Sequence, residues 1–195
     1  MTGQPVLVTE RLLLRPFTPD DAPEVQRLAG DREVASGTLQ IPYPYPDGAA
    51  ENWIATHRSG FEKGMHVVYA LTRVQGGELV GAVGLVSVDR RHGRAELGYW
   101  VARPCWGRGY ATEGARAMIE YAFSVLGLHR VHAMHFSRNP ASGRVMEKCG
   151  MVHEAHLRDH ARKRGVFEDL DVWGILHADW RERCPVPAIR ECRVG

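Results

Sequence analysis

Apolar residues along this chain switch between the alternating period of strands and the wider spacing of helices. VTERLLLRPF (Val8–Phe17) reads as a first strand closed by Pro16. TPDDAPEVQRLAGD follows as a short helix, with Thr18 as its cap, Pro19 at its first position and acids in its first turn. IPYPYPDG (Ile41–Gly48) cannot be regular structure, because alternating prolines remove donors and force extended backbone. A second helix spans Ala49 to Lys63. HVVYALTRV and LVGAVGLVSVDRR, separated by the turn signal QGGE, read as a hairpin.

RAELGYWVA (Arg94–Ala102) is a further strand, and Gly107-Arg108-Gly109 forms a tight turn from it into a helix. That helix carries one apolar stripe, Ala111, Ala115, Met118, Ile119, Ala122 and Leu126, and Gly127 stops it. HRVHAMHF (His129–Phe136) is a short buried strand, and NPASGRVMEKCG is a helix from an Asn-Pro step to Gly150. MVHEAHLRDHARKRG and VFEDLDVWGILH close the pattern as a strand pair. RERCPVPAIRECRVG has two prolines and little periodicity, which places it outside the core. The sum predicts a mixed α/β (α+β) protein with one domain over residues 1–180 and a peripheral tail over 181–195.

Composition narrows the classes. With 195 residues, 44% hydrophobic and 25% charged, the chain is long enough for a substantial core and of ordinary globular make-up. Its longest apolar runs are too short and too broken by glycine to span a bilayer. A net charge of +2 gives no strong pull toward DNA or a membrane surface. The opening residues lack a secretory pattern, and the four cysteines form no CxxC pair, so reduced thiols in the cytoplasm are expected.

The glycine turn carries the chemistry. The first amides of a helix have no intrahelical acceptor, and its aligned peptide dipoles leave partial positive charge there. Glycines at that place either make a tight connection or admit an anion, a phosphate above all, to those amides. The pattern is not a P-loop, since no Gly-Lys-Ser/Thr follows, and its glycine spacing is not that of the dinucleotide fingerprint.

Trp106-Gly107-Arg108-Gly109-Tyr110-Ala111 resembles the acyl-CoA pyrophosphate loop of the GNAT acyltransferase superfamily. Trp106 stands where that loop usually has Arg or Gln, a departure shared, together with the following GYATEG, by the branch of ribosomal-protein alanine N-acetyltransferases. TERLLLRPFTPDDAPEV, NPASGRVMEKCGM and FEDLDVWGILHADW resemble the same branch in order and spacing, so the similarity runs over residues 8 to 180. The resemblance implies a twisted, mostly antiparallel sheet of about seven strands, with helices on both faces. It implies a splay between the fourth and fifth strands where the thioester of acetyl-CoA enters. Main-chain amides of Trp106 to Ala111 are then expected to hold the pyrophosphate, and main-chain groups of Trp100 and Val101 the pantetheine. Asn139 is expected to bond the pantetheine as well, and Arg108 or Arg144 either meets the adenosine phosphates or is solvated.

Acetyl transfer to an amine needs a proton acceptor, a stabilised carbonyl oxygen and a proton for the departing thiolate. Glu96 is the candidate base, sharing a strand face with Gly98 and Trp100, unless it is simply paired with Arg94 or Arg103. A carboxylate held against aromatic surface is expected to have a raised pKa. Many superfamily members place a Tyr acid on the helix after the Asn, but Met146 occupies that position here. Ser142 is the substitute carried over from the ribosomal-type branch, its other role being a cap for the helix starting near Pro140. Without an acid, a thiolate of pKa roughly 8.5 can leave unaided. No serine or cysteine points to an acyl-enzyme: Cys105 has no visible base.

An α-amine is easier to deprotonate at neutral pH than a lysine, by on the order of 3 kcal/mol, which favours a protein N-terminal amine as acceptor. A small-molecule amine such as an antibiotic, amino acid or polyamine is the second reading, and a non-catalytic acyl-CoA-binding module the third. His153, His156 and His160 have helical spacing for a metal, but the segment reads as a strand, where His153 and His156 fall on opposite faces, so no metal is expected. PYPYP is expected to wall the acceptor groove together with Trp53, and RDHARKRG to be a solvated hairpin turn. The pattern leaves a homodimer open.

Overall fold

The computed structural model describes residues 3–183 and 189–192. The opening strand divides into β1 (Val6–Val8) and β2 (Leu12–Arg15), because Thr9 N–H donates to the Leu12 carbonyl at 2.9 Å and closes a turn. The first helix begins as a 3-10 turn, Pro19–Asp21, and continues as α1 (Ala22–Ala29). Asp21 accepts from Thr18 N–H at 2.8 Å and from Arg15 at 2.6 and 2.8 Å, so the cap is also a partly buried ion pair. A short helix that periodicity did not reveal, α2 (Arg32–Ser36), is capped by Asp31, which accepts from Glu33 N–H at 2.8 Å.

The expected order then follows: α3 (Ala49–Glu62), β3 (Val67–Arg73), β4 (Leu79–Asp89), β5 (Arg94–Val101), α4 (Tyr110–Ser124), β6 (Arg130–Phe136) and α5 (Pro140–Lys148). The closing strands are β7 (Val152–Lys163) and β8 (Val166–Leu176), with α6 (His177–Arg183) and β9 (Arg190–Cys192) beyond them. One sheet has the order β7-β8-β6-β5-β4-β3-β2-β1-β9. It has more strands than the seven or so expected, because the opening strand is two and β9 from the tail segment pairs with β1 at the sheet edge. Every pairing is antiparallel except β5 with β6.

That exception makes the gap. β5 and β6 pair only over Arg94↔Arg130, Ala95↔Val131 and Glu96↔His132, and the sheet is open beyond them. The splay therefore falls between the fifth and sixth strands of this chain, one later in the count. Strand alternation separates two cores. Leu97 and Val131 face the buried cluster around α4, whereas Trp100 faces a second cluster built on α1 and α3.

The α1–α3 cluster contains an acid-sensitive group. His57 is 5% exposed, lies 4.4 Å from Trp53 and 5.4 Å from Phe17 by ring centroids, and neither ring nitrogen has a hydrogen-bond partner. Burial, reinforced by the neighbouring His66, pushes its pKa down from 6.5 to about 4. A depressed histidine binds protons more readily in the unfolded chain, so its contribution to stability is full above pH 6.5 and is lost as pH falls toward 4. The melting temperature is expected to drop across that window, and His57→Phe is expected to flatten the slope. Equal slopes in the two proteins would remove His57 from the explanation.

Candidate active site

A cavity of about 620 Å³ occupies the splay. Glu96 and Trp100 line it from β5, Met134 and Phe136 from β6, and Ser142 and Met146 from α5. Trp53 of α3 and residues 37–42 and 45 of the loop before it line the opposite side, with Pro42 and Tyr45 coming from the PYPYP segment. Glu96 and Trp100 share the face turned toward α1 and α3, while Tyr99 between them turns toward the α4 and α5 layer. The cavity thus joins two sides of the sheet through its gap.

The glycine turn leads from the end of β5 into α4. Gly107 has φ 74° and Gly109 φ 82°, left-handed conformations that favour glycine, and Gly109 directly precedes Tyr110, the first residue of α4. The first intrahelical bond is Glu113 N–H to the Gly109 carbonyl at 3.0 Å, so the Tyr110, Ala111 and Thr112 amides are left for an outside acceptor. Arg11, which the sequence reading passed over, staples this turn to the β1–β2 connection. Its guanidinium donates to the Arg108 carbonyl at 2.9 Å and pairs with Glu113 at 2.6 Å. Burial pushes the Glu113 carboxyl up, but hydrogen bonds from Thr9 and Arg11 outweigh it and hold the pKa below the usual value. The exposed main chain at 107–109 and the free amides fit a diphosphate. A second cavity, about 820 Å³, lies beside the start of α4 and brings Arg11, Arg116 and Lys148 to it; Arg108 and Arg144 do not line it.

Trp106 is half exposed, and its indole Nε1–H donates to the Val101 carbonyl at 2.7 Å. That carbonyl is therefore engaged within the chain. Ala102 N–H donates to the Val80 carbonyl at 2.8 Å, which fixes the hydrogen-bond phase of β5. Alternate residues 102, 100 and 98 turn their main chain to β4, and 101, 99 and 97 turn theirs to the splay. The expectation for Trp100 is corrected here: its main chain is committed to β4, and it contributes its buried ring to the cavity wall. Asn139 donates its amide to the Gly37 carbonyl at 3.3 Å, tying the start of α5 to the segment after α2.

Glu96 is not held by either arginine that could have claimed it. Arg94 pairs with Asp89 at 3.7 Å and Arg103 with Glu33 at 2.9 Å. Across the parallel pair Glu96 faces His132, whose burial holds its pKa below the ordinary value against the opposing pull of Glu96. Ser142 does not cap α5. Its Oγ lies 2.8 Å from the Tyr99 hydroxyl, and that hydroxyl also donates to the Ser142 carbonyl at 3.2 Å. Burial pushes the Tyr99 pKa well above its usual range, so the phenol stays protonated. Tyr99 was missed in the sequence because its partner lies on α5, although a tyrosine facing the glycine-turn layer is a visible signal. His135, buried against Gly143, accepts from Trp173 Nε1–H at 3.1 Å and donates from Nδ1 to the Phe136 carbonyl at 2.8 Å, which fixes its tautomer.

The histidines of β7 require a correction. The register shifts between His153 and Ala155, inserting an extra residue. That bulge brings His153 and His156 to one face, where they lie 2.8 and 3.2 Å from Asp171. Among the described residues no group of three or more His, Cys, Asp or Glu side chains is disposed to hold a metal ion.

Comparison with known proteins gives a consistent result. The family described as Acetyltransferase (GNAT) domain matches residues 11–152. The uncharacterized N-acetyltransferase YoaA of Bacillus subtilis is 30% identical over 172 residues, 88% of this chain and 97% of that one. YdaF of the same organism, provisionally named a ribosomal N-acetyltransferase, is 35% identical over 104 residues, 53% of this chain and 57% of its own. Spermidine N(1)-acetyltransferase of Vibrio cholerae is 25% identical over 176 residues, 90% of this chain and 99% of that one. A crystal structure of spermidine N-acetyltransferase from Vibrio cholerae with CoA and spermine matches the fold at a TM-score of 0.75 and 23% identity, covering 87% of this chain and 97% of that one.

Proposed function

This chain belongs to the GNAT acetyltransferase family, and from that premise we propose that it transfers the acetyl group of acetyl-CoA to the α-amine of a polypeptide by direct attack in a ternary complex. The observation that carries the mechanism is the cavity in the splay, which gathers Glu96 and the Tyr99–Ser142 hydroxyl pair. The partial match to YdaF and the lower pKa of α-amines support the choice of acceptor. The nearly full-length match to a spermidine acetyltransferase supports the small-amine alternative.

The donor supplies the acyl group and a thiol leaving group. The chain's residues supply the rest. The amides of Tyr110, Ala111 and Thr112 anchor the diphosphate, so that the thioester end runs along β5 into the splay. Glu96 accepts the proton of the incoming ammonium, directly or through one water. The Tyr99 hydroxyl stays protonated and orients Ser142 Oγ at 2.8 Å, and Ser142 Oγ–H gives a proton to the departing sulfur and regains one from solvent.

Free-thiol release from acetyl-CoA over a panel of peptides, polyamines and aminoglycosides tests the assignment, with mass spectrometry locating the acetyl group. Acetylated peptide α-amines are the expected product. Thiol release with spermidine and none with peptides would transfer the function to the small-amine reading. Ser142→Ala is expected to lower kcat about tenfold, because a thiolate of pKa roughly 8.5 still leaves without help. Tyr99→Phe is expected to lower it by a similar factor with little change in melting temperature. Wild-type turnover in both variants would take the proton donor elsewhere.

A further inference from the structure

We infer that the acceptor is a primary monoamine with an apolar body, and that polyamines are poor acceptors. This rests on the acetyl-transfer reading of the same cavity. Among the described residues, the cavity lining contains one carboxylate, Glu96, set in a wall that includes Val25, Ile41, Trp53, Val86 and Phe136. One carboxylate neutralises one ammonium. Each further ammonium of a polyamine would lose its hydration against apolar side chains without a partner.

The surroundings reinforce the selection. Lys163 on β7 donates to the Leu39 and Ile41 carbonyls at 3.0 and 2.6 Å, holding the loop that roofs the cavity. Arg164 stands over the Tyr43 ring at 4.7 Å, and both Arg164 and Arg138 lie close enough to Lys163 to disfavour its charge. Lys163 and Arg164 thus set positive charge on this loop, while Arg138 is neutralised by Glu168. Of the other acids nearby, Asp171 is taken up by His153 and His156 and Glu168 by Arg138, while the exposed Asp47, which accepts from Gln26, and the exposed Glu51 near Tyr45 do not line the cavity. An apolar side chain next to the amine would instead displace water from the wall made by Ile41, Trp53 and Val86.

Binding and turnover should be measured separately with phenylalaninamide, leucinamide and spermidine. Titration calorimetry in the presence of coenzyme A gives binding, and thiol release from acetyl-CoA gives turnover. The amides are expected to bind about tenfold or more tighter than spermidine, the scale on which an apolar pocket discriminates. Val86 pairs with Glu96 across β4 and β5 and is 36% exposed, so Val86→Glu adds a second carboxylate beside the first without disturbing the core. That variant is expected to narrow the preference about fivefold or more in favour of spermidine, on the scale of one added charge pair. Amides that bind as expected but are not acetylated would leave the selectivity of the cavity standing and overturn the reading of it as the site of acetyl transfer to α-amines. Spermidine binding as tightly as the amides, no measurable binding of any probe, or an unmoved preference in Val86→Glu would each overturn the inference while leaving acetyl transfer to be judged by thiol release.

Discussion

Glu96→Gln is expected to cut kcat about a hundredfold, the usual scale for loss of a general base, while coenzyme A affinity and melting temperature stay near wild type. The amide copies the shape of the carboxylate and removes only its capacity to take a proton. Among the described residues Glu96 carries no ion pair whose loss would loosen the fold, since Arg94 is bound to Asp89 and Arg103 to Glu33. It stands at the last residue pair before β5 and β6 part, and it lines the cavity. Titration calorimetry with coenzyme A and steady-state kinetics separate the two effects. Unchanged turnover would eliminate Glu96 as base, and lost coenzyme A binding would recast it as a structural residue.

The local pattern made the fold legible where each element settles its own faces. The apolar stripe from Ala111 to Ala122 predicted α4, and the alternation of Arg94–Ala102 placed Glu96 and Trp100 on one face, because neither depends on distant contacts. Elements that depend on a single hydrogen bond or an inserted residue were not legible. The turn at Thr9 split the first strand, and the bulge after His153 turned two histidines expected on opposite faces toward one aspartate. The site shows the same division. The glycine turn was visible as a residue pattern, and Glu96 and Ser142 were candidates through the family resemblance, whereas the Tyr99–Ser142 bond joins β5 to α5 and exists only once the sheet is folded. The direction of the Trp100 main chain likewise follows from the phase of the β4–β5 ladder, which no residue type encodes.

The second large effect is expected at Gly109, where Gly109→Asp should weaken coenzyme A binding about a hundredfold and Gly109→Asn only a few-fold. Both substitutes are among the side chains that best tolerate the left-handed conformation, φ 82°, at this position. Both also meet the same neighbour, since a Cβ here lies 3.3 Å from Arg11 Nη2 and displaces it by a few tenths of an ångström at most. Their steric costs therefore match, and the ratio of their affinities reads the added charge, shared between the helix amides and Arg11. A fixed carboxylate at the start of α4 is favourable to the helix, whose amides carry partial positive charge, so the Asp variant should melt no lower than the Asn variant. The same carboxylate competes with a diphosphate for the Tyr110, Ala111 and Thr112 amides and repels it. Stability and affinity are thus expected to separate, which general misfolding cannot produce. If calorimetry finds the two variants equally weakened, the anion is not seated on these amides, and the placement of the thioester relative to Glu96 and Ser142 loses its anchor.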